Sequence, residues 1–127
     1  MIDLYLERGE MFALYDRNIL RAICVVTDEG DRTVELKNIA TVPEHQKQGY
    51  GKRLIRFISE HYAGKYDTLL VGTGESPLTV PFYEHNGFRY SHRIKNFFTD
   101  NYDHPMYEDG KQLVDMVYLR KELSKSK

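Results

Sequence analysis

The chain has 127 residues, 41% of them apolar and 29% charged, with 18 basic against 19 acidic side chains and a formal charge of −1. That length and balance suit one globular domain, 1–127, with a real core, and exclude a disordered chain. They also argue against a broad nucleic-acid surface, which needs a basic excess, and no apolar stretch approaches the ~20 residues of a membrane span.

The start, Met1-Ile2-Asp3-Leu4, is acidic and lacks the apolar core of a secretory signal. Residues 2–8 fit either a short helix or a strand, and the stop at Arg8-Gly9 favours the helix. Residues 11–15 and 20–27 read as a strand pair about the turn Asp16-Arg17-Asn18. Within the second strand lies Cys24, the sole cysteine. No internal disulfide is possible, so a reducing compartment, the cytoplasm, is expected. Its apolar neighbours make it a buried thiol in preference to a reactive one.

A second turn is predicted at residues 28–31, then a strand over residues 34–42. Strict alternation puts Val34, Leu36, Asn38 and Ala40 on one face of that strand, with Glu35, Lys37, Ile39 and Thr41 on the other. The apolar stripe Leu54, Ile55, Ile58 and Tyr62 predicts a helix over residues 51–62. The run Thr68-Leu69-Leu70-Val71 predicts a buried strand. Strand, helix, strand is a unit whose strands run parallel. Ser76-Pro77 opens a second helix, and Asn86-Gly87 closes it. Strands are predicted over residues 88–95 and 113–120. The fold class is α/β: a mixed sheet, antiparallel first and parallel in the middle.

The stretch Gln46-Lys47-Gln48-Gly49-Tyr50-Gly51-Lys52 lies between a strand and a helix. Its glycines let backbone approach a ligand, and the helix start offers unpaired N–H groups that favour an anion such as a pyrophosphate. A surface helix with a glycine-rich turn is the other reading. The spacing is neither that of a Gly-x4-Gly-Lys-Ser/Thr phosphate loop nor that of a Gly-x-Gly-x2-Gly dinucleotide turn.

Gln46-x-x-Gly49-x-Gly51 after a strand resembles the acetyl-CoA loop of the GNAT N-acetyltransferase superfamily. Asn38-Ile39-Ala40-Thr41-Val42-Pro43 is similar to its fourth strand, and Phe82-Tyr83-Glu84-His85-Asn86-Gly87-Phe88 to its later tyrosine and glycine-phenylalanine motif. The likeness spans residues 10–88. It implies the splayed-strand GNAT fold, acetyl-CoA as cosubstrate and direct transfer of the acetyl group to a primary amine on a small molecule or peptide. It also implies roles. Backbone groups of Ile39, Ala40 and Thr41 would take the pantetheine arm, with the Ile39 N–H polarising the thioester carbonyl. Backbone of Gln46 to Lys52 (Gln46, Lys47, Gln48, Gly49, Tyr50, Gly51, Lys52) would hold the pyrophosphate. Tyr83, a phenol with an ordinary pKa of ~10, would protonate the departing thiolate. Glu35 aligns with a glutamate that serves some members as base; pairing with a nearby cation is its other reading.

Two departures from the family stand out. Where the family commonly has an asparagine that contacts the pantetheine arm, seven residues before the tyrosine, this chain has the shorter Ser76, which the resemblance implies as a cofactor-binding residue beside its capping role. The family also begins with a strand and two helices, and only about ten residues precede the first hairpin here. The strand from Met11 is therefore expected at a sheet edge, and a homodimer is expected. The five histidines show no ligand spacing, so no metal is expected. Residues 97–109 carry Asp100, Asp103, Glu108 and Asp109, with Phe97, Phe98, Tyr102 and Tyr107, and no lysine or arginine. They suit either a bound cationic amine or a solvated acidic loop. An acyl-CoA-binding module with weak or no catalysis is the alternative function.

Overall fold

The computed structural model describes residues 9–41, 49–77, 79–108 and 110–123. The predicted helix over residues 2–8 and residues 46–48 of the glycine-rich loop lie outside them. The chain forms two compact units: one runs to Leu69 and takes in Glu122 and Leu123, the other is Leu70–Lys121.

In the first unit, β1 (Gly9–Asp16), β2 (Ile19–Gly30) and β3 (Thr33–Thr41) form an antiparallel meander. Both turns have two residues with positive φ: Arg17 and Asn18 at 56° and 66°, Asp31 and Arg32 at 52° and 57°. Such turns match the twist of paired strands. The predicted turn at residues 28–31 is corrected, because Asp28, Glu29 and Gly30 stay in β2. Left-handed backbone is costly for arginine, and Arg32 is held there by Asp67. Its Nε and Nη2 donate to the two Asp67 carboxylate oxygens at 3.0 and 3.2 Å. Its carbonyl accepts the N–H groups of Asp67 and Thr68 at 2.8 and 3.3 Å. These bonds set Asp67 and Thr68, at the start of β4 (Thr68–Gly74), beside Arg32.

Between β3 and β4 in the chain lies α1 (Tyr50–Tyr62). Its predicted stripe is its buried face: Leu54, Ile55, Ile58 and Tyr62, joined by Tyr50. Each aliphatic side chain so buried contributes roughly 1.5–3 kcal/mol. Val26 and Val34 share a cavity wall with Tyr62, so their face of the meander is the one toward α1.

The alternation predicted for β3 fails at one residue. Val26 opposes Leu36 while its neighbour Val25 opposes Asn38, which leaves Lys37 as an extra residue, a β-bulge. Glu35 lies opposite Thr27, and Ile39 lies opposite Cys24. Thr27 and Cys24 are three apart on β2 and so face opposite ways. Glu35 and Ile39 therefore do not share a face. Ile39 is on the α1 side with Cys24, and Glu35 is on the other side with Thr27.

In the second unit the strand order is β4-β8-β5, with β5 (Arg89–Ile94) antiparallel to β8 (Met116–Glu122). Leu69 and Val71 of β4 are buried while Thr68 and Leu70 are half-buried, so the predicted burial on both faces is full on one only. α2 (Thr79–His85) follows β4, and the Thr73 and Thr79 hydroxyls meet at 2.8 Å across that junction. The single strand predicted over residues 113–120 is two. Leu113 ends β7 (Lys111–Leu113), which pairs with β6 (Met106–Glu108), and β8 starts at Met116. Before the hairpin stands a one-turn helix, α3 (Phe97–Asn101). The acidic aromatic segment is thus largely ordered secondary structure.

Candidate active site

Gly49 sits before α1 with φ 84°, and its carbonyl accepts the Arg53 N–H at 3.0 Å, the first bond of the helix. The N–H groups of Tyr50, Gly51 and Lys52 consequently have no partner within the helix. Among the described residues no side chain caps the helix start, and the first turn holds no acidic residue. A Cβ built on Gly49 would meet nothing within 4 Å among the described residues. Backbone donors, a helix dipole and open space coincide here, and Lys52 and Arg53 add exposed positive charge.

Tyr50 is bound differently from its neighbours. Its hydroxyl donates to Asp16 Oδ2 at 2.9 Å, and the guanidinium carbons of Arg21 and Arg53 lie 5.5 and 5.6 Å from its ring centre. Its side chain anchors the start of α1 to the end of β1. Sequence reasoning missed Asp16 and Arg21 in this role, because nothing in local spacing links them to a residue 34 and 29 positions away.

Of the β3 residues, Ile39 and Ala40 oppose Cys24 and Ile23, and Thr41 ends the strand opposite Ala22. Glu35 is buried and pairs with the bulge residue, Lys37, whose Nζ lies 3.2 Å from its carboxylate. Cys24 is buried as predicted, and burial pushes its thiol up to about 12. At the other end of α1 a cavity of about 400 Å³ is walled by Glu10, Asp28, Tyr62 and Tyr66. Tyr62 donates to Glu10, and Tyr66 to Asp28 at 2.8 Å, so both carboxylates are engaged internally. Burial, then Glu10, raises the Tyr62 phenol well above its ordinary value.

In the second unit, Ser76 and Tyr83 mark the two ends of α2. The Ser76 carbonyl accepts the Val80 N–H at 3.2 Å, the first helical bond, as its predicted capping position requires. At the other end Gly87 has φ 95°, its N–H bonds to the Glu84 carbonyl at 3.1 Å, and the Phe88 N–H bonds to the Tyr83 carbonyl at 3.1 Å. This paired closure comes with an apolar contact between its outer residues, which here are Tyr83 and Phe88. Tyr83 is buried, with the Phe82 and Phe88 rings 5.3 and 5.5 Å away, edge to face.

The sequence profile of the acetyltransferase (GNAT) domain family matches residues 7–90. Among curated proteins, the chain is 36% identical over 126 residues to the uncharacterized N-acetyltransferase YvbK of Bacillus subtilis (strain 168), spanning 97% of this chain and 81% of that one. Among solved structures, a GNAT family acetyltransferase from Elizabethkingia anophelis with acetyl-CoA bound is 36% identical. It superposes with a TM-score of 0.87, covering 96% of this chain and 81% of that one. A Bacillus subtilis acetyltransferase in complex with CoA is 35% identical, with a TM-score of 0.90 over 96% and 82% of the two chains. The chain belongs to the GNAT acetyltransferase family. It is an acetyl-CoA-dependent N-acetyltransferase with the mixed α/β fold of that family.

Proposed function

We propose that this enzyme, acting as one domain over residues 1–127 in the cytoplasm, moves the acetyl group of acetyl-CoA directly to a primary amine in a ternary complex. The observation that carries the reading is the start of α1, where Gly49 takes the left-handed turn and the Gly51 and Lys52 N–H groups meet no side-chain cap among the described residues. A pyrophosphate suits those donors. The acetyl-CoA and CoA bound to similar proteins support it.

In this reading the amine nitrogen attacks the thioester carbon, and the oxyanion accepts the Ile39 N–H. The carbon–sulfur bond then breaks, and the Tyr83 hydroxyl gives its proton to the leaving thiolate. The proton lost by the amine passes to water or, through water, to Glu35. Ile39, Ala40 and Thr41 hold the pantetheine arm. Ser76 serves by capping α2. No metal takes part in these steps.

The test is an acceptor panel of polyamines, amino acids, aminoglycosides and peptides, scored by CoA thiol released, beside a thermal shift with acetyl-CoA alone. Amine-dependent thiol release is expected. A thermal shift with no release from any amine would leave an acyl-CoA-binding module.

A further inference from the structure

The sequence leaves residues 97–109 open between a cation site and a solvated acidic loop, and the structure gives them a shape. The Phe98 N–H bonds to the Val114 carbonyl at 2.8 Å, the Tyr102 N–H to the Phe98 carbonyl at 3.2 Å, and β6 closes against β7. Between α3 and this hairpin lies a pocket of about 230 Å³. Phe98 and Tyr102, one helical turn apart, stack at 5.9 Å and 15° and form one wall. Met106 and Leu113 add apolar surface, and Asp103 stands at the rim, its carboxylate 2.9 Å from His104 Nδ1.

Two observations tie this pocket to the end of β4, five residues before the start of α2, the helix that carries Tyr83. A Cβ on Gly74 would come within 2.8 Å of Leu113 Cδ2, so the pocket wall rests on that glycine. Asp115 takes the Asn96 N–H at 2.9 Å with one oxygen and Arg93 Nη1 at 2.9 Å with the other, while Arg93 Nη1 also reaches Glu75 at 3.4 Å. The base of α3 and the exit of β4 are thereby held together. The same arrangement neutralises Arg93. Asp103 is the one carboxylate that lines the pocket among the described residues, and residues 97–109 around it hold no lysine or arginine, which favours a cation there.

We propose that this pocket is the subsite for the acyl acceptor, and that it selects a small primary amine with an aromatic or flat apolar body. The body lies against Phe98 and Tyr102, and the ammonium faces the acidic segment at Asp103. Aromatic faces and carboxylates together recognise a cation joined to a ring. This rests on the amine-acetylation reading above.

Phenethylamine and ethylamine serve as acceptor probes, with released CoA thiol as the readout. The wild type is expected to prefer phenethylamine by about tenfold or more in kcat/KM, since ring burial is worth at least ~1.4 kcal/mol. Tyr102→Ala, and separately Gly74→Ala, which pushes Leu113 into the pocket, are expected to raise the phenethylamine KM about tenfold. The KM values for ethylamine and acetyl-CoA should stay within about twofold, because neither depends on the ring wall. Asp103→Asn should weaken both amines. No preference for the ring in the wild type, or an unchanged phenethylamine KM in both wall variants, overturns the pocket while amine acetylation stands. No thiol release with any amine overturns both.

Discussion

The Phe88 ring lies 5.5 Å from the Tyr83 ring at an interplanar angle of 70°, at the point where Gly87 closes α2. The candidate acid is thus held by the stop signal of its own helix. Tyr83→Phe keeps the ring contact and removes only the hydroxyl. It is expected to lower turnover by ~100-fold or more while acetyl-CoA binding changes little, because the proton is needed as charge develops on sulfur. Near-normal turnover would remove Tyr83 from the chemistry.

Gly49→Trp is expected to abolish the thermal shift given by acetyl-CoA. The indole would occupy the space that now lies open at the start of α1. The left-handed backbone there also costs a non-glycine residue about 1–2 kcal/mol, so the unliganded variant should melt lower as well. A variant that melts lower yet keeps the full ligand shift would place the cosubstrate elsewhere.

Glu35→Gln is expected to slow the reaction most near neutral pH and to recover in part at alkaline pH, where solvent already frees the amine of its proton. The bulge at Lys37 turns Glu35 away from the face of Ile39, so any help it gives passes through water. A loss independent of pH would mean that its pairing with Lys37 is what matters.

The Asn96 N–H and the Arg93 guanidinium hold the Asp115 carboxyl below its ordinary value near 4. A carboxylate depressed on folding lends stability that is present above its unfolded pKa and lost as pH falls through the folded one. Asp115→Asn is therefore expected to melt lower than the wild type at pH 7, with the gap closing below about pH 4. A gap that persists unchanged to pH 2 would show that charge is not what Asp115 contributes.

Regarding assembly, we propose a homodimer paired through β1, the outermost strand of the first unit among the described residues. Met11 and Tyr15 are 41% and 61% exposed along it, and a strand edge of this kind invites a second one. Tyr15→Lys is expected to yield a monomer by light scattering. Phe12 is a poorer probe, because its ring packs on Phe57, His61 and Tyr62. A Tyr15→Lys protein that remains dimeric would rule out this edge.

Much of the fold was legible because it rests on short-range signals. The stripe of α1, the capping Ser76 and the Asn86-Gly87 stop each act within a few residues. The bulge was not legible, because an extra residue in β3 is defined only against its partner strand. The hairpin of β6 and β7 did carry a sign, the Asp109-Gly110 pair between Glu108 and Lys111, but the density of acidic residues obscured it. For the site, the glycine loop and Tyr83 could be picked out by type and spacing. The clamp of Asp16 and Arg21 on Tyr50 could not, since it joins distant parts of the chain.

Lys37 has a further consequence for anyone who edits this chain. Deleting it would not shorten a turn or trim a loose end. It would join Leu36 to Asn38, which already oppose the adjacent residues Val26 and Val25, and so restore unbroken alternation with every other side chain on its present face. A one-codon deletion inside a strand would then behave like the removal of one side chain, at the loss of the ion pair to Glu35, whereas a residue deleted from an unbulged stretch would turn half of its strand over.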